Sequence, residues 1–315
     1  MSTFNTPILL ITFRRPETTA KVFEKIRLIK PSKLYLVSDG FRENFQEEKK
    51  KILRTRELIK NVDWPCKVKT LFRSKNLGCK KRVSDAINWF FKNEKYGIIL
   101  EDDCLPHLDF FSFCQNLLNF YYNEKKVLAI TGMNYQDGQR RGSASYYFSK
   151  YNHCWGWATW RRAWDYYQED ILFWPAWQKS NSWKKLNSNK YEKKYWEQIF
   201  DRVYNGKIDS WAYPWTASVW YQDGLTATPN VNLVSNIGFG EDAVHTKDID
   251  NKANNMKTYE LKNIKHPTNI KRHLEADEYN FDYNFEGKYL RFPHNLVKLV
   301  KRIFLYLKNL IFRNV

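Results

Sequence analysis

The chain has 315 residues, 43% hydrophobic and 17% aromatic, enough to bury one large core or a core with a subdomain. Its formal net charge of +18 calls for an anionic partner: a nucleotide, a nucleic acid or an acidic membrane surface. Five scattered cysteines (Cys66, Cys79, Cys104, Cys114, Cys154) speak against a disulfide framework, and no apolar run reaches bilayer-spanning length. Ser2 to Pro7 is polar and Ile8 to Thr12 is too short for a signal peptide, so a reducing cytoplasm is expected.

Pro7 to Phe13 reads as a buried strand, followed by a loop and helix start at Arg14-Arg15-Pro16-Glu17-Thr18-Thr19. Ala20, Val22, Phe23, Ile26 and Ile29 share one face of that helix. Leu34 to Gly40 is a second strand closed by a turn. Arg42 to Lys60 predicts a charged amphipathic helix with Ile52, Leu53 and Ile59 as its apolar positions. Val68 to Phe72 is a third strand, and Asn76-Leu77-Gly78 leads into a helix over Lys80 to Lys92. Tyr96 to Leu100 is a fourth strand and runs straight into Glu101-Asp102-Asp103. Strands alternating with helices predict an α/β fold, Rossmann-like, with a mostly parallel central sheet flanked by helices.

Asp109 to Asn123 predicts a helix and Val127 to Gly132 a further strand. Near residue 145 the texture changes. From Tyr146 to Trp220 the chain is loaded with Trp and Tyr, and aromatic helices and loops are expected. Residues 246 to 285 are polar and irregular. The expected organisation is a first half over 1–145, an aromatic half over 146–287 and a tail over 288–315. The tail carries seven Lys and Arg and no acid, with Leu296, Leu299, Val300, Ile303, Leu307, Leu310 and Ile311 at helical spacing. That pattern predicts a basic amphipathic helix, either lying on an anionic membrane surface or docked on the domain.

Three adjacent acids repel one another, and a core strand ending in them presents them at its C-terminal edge. Taken alone, such a triplet fits a solvated turn equally well. Asp39 ends the second strand, and Arg14 and Arg15 follow the first, so a parallel sheet brings all of them to one rim. Acids for a hard cation, Mn²⁺ or Mg²⁺, with arginines for phosphate or base describe a nucleotide site.

With these residues in place, the chain resembles GT-A-fold glycosyltransferases, most of all bacterial relatives of the mannosyl-glycoprotein β-1,2-N-acetylglucosaminyltransferase family. The matching pieces are Pro7 to Ile11 through Arg15, Val37-Ser38-Asp39, and Ile98 to Asp103 followed by Pro106 and Asp109-Phe110-Phe111. Gly156-Trp157, Asp209-Ser210-Trp211 and Pro229 to Gly240 come next in the same order, covering roughly residues 5 to 245. The resemblance implies a metal-dependent transfer from a UDP-sugar, UDP-N-acetylglucosamine among them, to a glycan or lipid-linked acceptor in surface polysaccharide synthesis. Inversion is expected, because no positioned nucleophile shows. In that frame residues 1–145 bind the donor and 146–287 the acceptor.

The resemblance also implies roles. Asp103 would hold the metal, with His245 as a second ligand or diphosphate contact; Asp102 and Glu101 would bind the donor ribose and sugar. Asp39 would accept from the uracil imide, and Arg14 or Arg15 would meet uracil or diphosphate. Asp209 would be the catalytic base, with Glu241 and Asp242 as competitors. Trp155, Trp157 and Trp211 would supply an acceptor platform, since a sugar's C–H face suits an aromatic ring, whereas tryptophan at near-helical spacing also suits a core. The chain departs from the family in lacking a membrane anchor before its first strand, so residence in the cytoplasm, peripheral on the inner membrane face, is expected.

Two other classes fit the rim and the charge. A sugar-nucleotide nucleotidyltransferase shares the sheet and acids, but its loop after the first strand is usually Gly-rich, and Thr12-Phe13-Arg14-Arg15-Pro16 holds no glycine. A basic nucleic-acid-binding protein fits the charge, but no RNA-binding signature is visible and no nucleic-acid partner is expected. A degenerate transferase that binds without turnover would not need Glu101-Asp102-Asp103 and Asp209 intact.

Overall fold

The computed structural model describes residues 4–43, 45–187, 189–240, 248 and 251–296. Strands β1 (Ile8–Thr12), β2 (Lys33–Ser38), β3 (Lys67–Phe72) and β4 (Tyr96–Glu101) run parallel, joined by α1 (Pro16–Ile29), α2 (Gln46–Lys60) and α3 (Cys79–Asn93). Pro16 opens α1, where its missing N–H has no helical partner to lose, and Lys30 closes it in the left-handed region. Every residue of β1 is buried, because both faces of the strand are covered: Ile8 and Leu10 enter one core and Leu9 and Ile11 the other.

The chain then forms β5 (Cys104–Pro106), α4 (Leu108–Phe120), β6 (Val127–Thr131), β7 (Tyr146–Ser149) and β8 (Trp157–Trp160). Short helices α5 (Arg161–Trp164), α6 (Trp174–Trp177) and α7 (Asn181–Leu186) precede the longer α8 (Lys190–Tyr204) and α9 (Ala212–Tyr221). β9 (Leu225–Pro229), β10 (Val234–Asn236) and α10 (Leu274–Tyr283) follow, with a 3₁₀ turn at Gly287–Leu290. The result is the expected mixed α/β architecture around one eight-stranded sheet of order β3-β2-β1-β4-β8-β6-β9-β7. It is mostly parallel; β7 and β8 run against their neighbours. Strands from both sides of residue 145 share it. A separate ribbon pairs β5 with β10, antiparallel, with Asn236 opposite Cys104.

Several expectations change. Trp157–Trp160 was expected among aromatic helices and loops, yet it is β8, a strand with Trp157 in one core and Ala158 and Trp160 in the other. A strand buried on both faces shows no polar alternation, so its period was invisible. Leu53, expected on the apolar face of α2, is 51% exposed, and Thr55 and Glu48 are buried in its stead. The irregular stretch before residue 285 contains α10. The expected tail helix lies largely outside the described residues, which end at 296. Among the described residues no helix is long and apolar enough to cross a membrane.

Candidate functional site

The order β3-β2-β1-β4 places the reversal of winding between β1 and β4, where open α/β sheets leave a crevice at their strand C-termini. Ile11 pairs with Glu101 and Thr12 with Ser38, so the residues after β1, β2 and β4 emerge side by side. Asp102, 3% exposed, lies across that crevice. Its Oδ2 accepts from the Phe13 N–H at 2.9 Å, and its Oδ1 is paired with Arg15. The same Arg15 Nη2 reaches Asp103 Oδ2 at 3.0 Å. Burial works against the Arg15 charge, yet Asp102 and Asp103 raise its pKa above the ordinary value. Asp102 is therefore the fixed member that positions Arg15, and Arg15 carries that order on to Asp103.

Arg14 is elsewhere. It ion-pairs with Glu48 of α2 at 2.9 Å, a buried acid also held by Arg42. The structure thus settles on Arg15 as the arginine of the acidic rim. Asp39, 1% exposed, accepts from the Gly40 N–H, the Leu77 N–H and the Asn76 amide at 2.9 to 3.2 Å. Burial pushes its pKa up, while the Leu77 and Gly40 N–H groups and the charge of Arg82 oppose the rise. In this arrangement Asp39 shapes the Asn76-Leu77-Gly78 loop that opens α3.

Glu101 and Asp103 form the charged heart of the rim. Burial, and then repulsion from Asp103, pushes the Glu101 carboxyl up to about 7, opposed by Arg82 whose Nη2 stands 3.9 Å away. Burial also raises Asp103, against the pull of Arg15. Asp103 Oδ1 accepts from the Cys104 thiol at 3.5 Å. Two desolvated carboxylates raised by burial are short of positive charge, a condition that suits a cation. Among the described residues no group of three or more His, Cys, Asp and Glu stands ready to hold a metal. Mg²⁺ and its like commonly take one or two carboxylates and complete their shell with substrate phosphate and water, so Glu101 and Asp103 fit that use.

Asp209 is exposed on the loop before α9. Its link to the rim is electrostatic, through Cys79, the first residue of α3. Burial pushes the Cys79 thiol up to about 11, Arg82 opposes, and Glu101, Asp209 and Asp103 all add to the rise. Carboxylates from two separate segments therefore act on one cysteine through their charge. His245, Glu241 and Asp242 lie outside the described residues. Trp157 and Trp211 are 2% and 4% exposed and stack on each other at 5.7 Å, so the structure places both in the core. Trp155 is half-buried and meets Phe239 edge-on at 5.7 Å.

Sequence reading missed the residues that close the rim from behind. The β5–β10 ribbon carries Gly238 against Asp103, with the Ile237 N–H bonded to the Asp103 carbonyl at 2.9 Å. A Cβ on Gly238 would collide with Asp103 Oδ2 and Arg15 Nη1. Three-residue strands carry too little pattern to be recognised, and only the glycine of Ile237-Gly238-Phe239 hinted at close approach. Cys79 and Cys154, which feel the charge of the acids, had no motif to mark them.

No protein-family model matches the chain, and no curated protein matches it in sequence. Among solved structures it is similar to a cytidylyltransferase from Leptospira borgpetersenii, with 14% identity, coverage of 62% of this chain and 73% of that one, and a TM-score of 0.34. It is similar to a 4-diphosphocytidyl-2C-methyl-D-erythritol synthase from Anaerococcus prevotii, with 8% identity, coverage of 71% and 88%, and a TM-score of 0.35. A UDP-glucose pyrophosphorylase complexed with UDP-glucose matches at 11% identity, coverage of 46% and 62%, and a TM-score of 0.26. These names stand nearer to the nucleotidyltransferase alternative than to a glycosyltransferase, and the N-acetylglucosaminyltransferase family finds no support among them. Likeness at these scores carries no argument about chemistry, which has to come from the site.

Proposed function

We propose that the chain is a metal-dependent glycosyltransferase that uses a nucleotide-sugar, with a UDP-sugar as the donor to try first. The observation that carries the reading is the convergence of Arg15, Glu101, Asp102 and Asp103 at the β1/β4 crevice. Glu101 and Asp103 would hold Mn²⁺ or Mg²⁺, which when bound neutralises charge on the departing diphosphate. Arg15, kept protonated by its two acids, would face the same phosphates. Asp39 would reach a uracil imide by exchanging its Asn76 contact for the base's N–H. The acceptor hydroxyl attacks the anomeric carbon, the bond to the diphosphate breaks, and Asp209 takes the hydroxyl proton. Trp155, with an exposed part of its ring beside Phe239, is the best placed of the three tryptophans for the acceptor. A glycan or lipid-linked acceptor at the inner membrane face completes the reading.

Nucleotidyl transfer is the second reading, because the same acids and arginine would serve it. The glycine-free loop Thr12 to Pro16 favours glycosyl transfer. One pair of assays separates them: UDP release from UDP-sugars, and pyrophosphate release from UTP with sugar 1-phosphates, each with Mn²⁺ and with EDTA. Metal-dependent UDP release that falls by roughly 10²- to 10³-fold in Asp103→Asn is expected. Pyrophosphate release instead would replace this reading with the second. Calorimetric UDP binding indifferent to both metal and Asp103 would remove the metal-dependent site altogether.

A further inference from the structure

The charge is unevenly placed. Gln46 to Asn93, the block from α2 through β3 to α3, carries fourteen Lys and Arg against five Asp and Glu. Its +9 is half of the chain's +18 in about 15% of its length. Topology puts α2 and β3 at one end of the molecule, because β3 is the terminal strand of the eight-stranded sheet, while α3 runs back to β4 and packs against β1. Four of the block's five acids are already engaged: Glu47 with Lys50, Glu48 with Arg14 and Arg42, Asp63 with Arg27, and Asp85 with Arg73. Lys67, Lys75 and Lys81 have no ion-pair partner among the described residues.

Lysines along an edge strand also guard against edge-to-edge pairing, and Lys67 and Lys69 on the exposed β3 edge serve that purpose. Edge protection does not explain α2. Its outward ridge sets Leu53, 51% exposed, among Lys49, Lys50 and Lys60 with the single acid Glu57, and Phe45 is exposed at the helix start under Arg42 and Val68 on β3. Cations surrounding isolated exposed apolar side chains suit a bilayer surface: the lysines meet anionic headgroups while Leu53, Phe45 and Val68 enter the boundary below. A nucleic-acid face would instead offer stacking rings, and the exposed large side chains here are mostly aliphatic.

We propose that the β3 edge, with the outer face of α2, is a docking surface for an anionic lipid bilayer, separate from the basic tail. The assignment stands whether or not the donor site works as proposed. It is tested on the full chain by sedimentation with vesicles of phosphatidylcholine containing about one-third phosphatidylglycerol, compared with phosphatidylcholine alone. The variant Lys50→Glu/Lys67→Glu/Lys69→Glu changes three exposed side chains and keeps the tail. Wild type pelleting with the anionic vesicles only, and the variant partitioning about 100-fold more weakly at an unchanged Tm, is the expected result. Leu53→Gln should lower partitioning several-fold without changing charge. Equal pelleting of wild type and triple variant overturns the proposal, as does equal binding to neutral vesicles. Tight binding of a fluorescent single-stranded RNA without vesicle binding overturns it in favour of a nucleic-acid face.

Discussion

The acidic rim and the tryptophan block differ in how their polar and apolar demands are met. At the rim, Glu101 and Asp103 sit desolvated beside like charge, with one arginine shared between Asp102 and Asp103. In the block, Trp174, Trp183, Trp196 and Trp220 pack through Phe200 at centroid separations of 4.9 to 6.4 Å, and three of their indole N–H groups donate to Asp201, Glu197 and the Lys150 carbonyl. The Trp174, Trp183, Trp196 and Trp220 cluster, with its indole N–H groups bonded inside the protein, has a stabilising role; under the proposed function the rim's two raised carboxylates take a ligand that brings positive charge. Mutations should therefore separate the two, with stability responding in one region and activity in the other.

The largest effect belongs to the block. Trp196 is buried against Tyr151, Phe200, Trp220 and Phe285, and Trp196→Ala should cost about 3–5 kcal/mol through lost packing and the cavity left behind. Denaturant unfolding checks it. A loss under about 1 kcal/mol would mean that the block is looser than a packed core. Gly238→Ala comes next and should act in the opposite sense. Its methyl would displace the Asp103 carboxylate and the Arg15 guanidinium, so turnover should fall by roughly 10²-fold while stability changes little. If kinetics and metal-dependent UDP binding survive Gly238→Ala intact, the Arg15–Asp103 geometry is not what the site depends on.

The first half of the fold was legible because each strand from Ile8 to Leu100 is a short apolar run punctuated by turn residues, with amphipathic helices between. The rim followed from that reading, since parallel strands necessarily gather Arg15, Asp39 and Glu101-Asp102-Asp103 at one edge. What stayed hidden depends on long-range partners. The choice of Arg15 over Arg14 is made by Glu48, thirty-four residues away on α2. The saturation of Asp39 is made by a loop that follows β3, and β8 hides in a Trp-rich run because both of its faces are buried. No periodicity reports a partner that distant in sequence.

The smallest effect falls where the two regions meet. His153 lies between Tyr151 and Cys154, its Nε2 2.8 Å from the Asn280 amide and its ring against Tyr135, Tyr151 and Phe285. None of these neighbours carries a charge that would hold an imidazolium, and burial lowers the His153 pKa from 6.5 to about 3. Between those values the unfolded chain binds a proton that the folded one refuses, so this residue's contribution to stability is lost as pH falls below about 6.5. His153→Gln, which keeps an amide acceptor for Asn280 and removes the titration, should flatten the decline of Tm between about pH 6.5 and 4. An acid decline as steep as in the wild type would assign it to other groups. A steeper one would mean that the imidazole is charged when folded, and that this junction carries an acid partner like those of the rim.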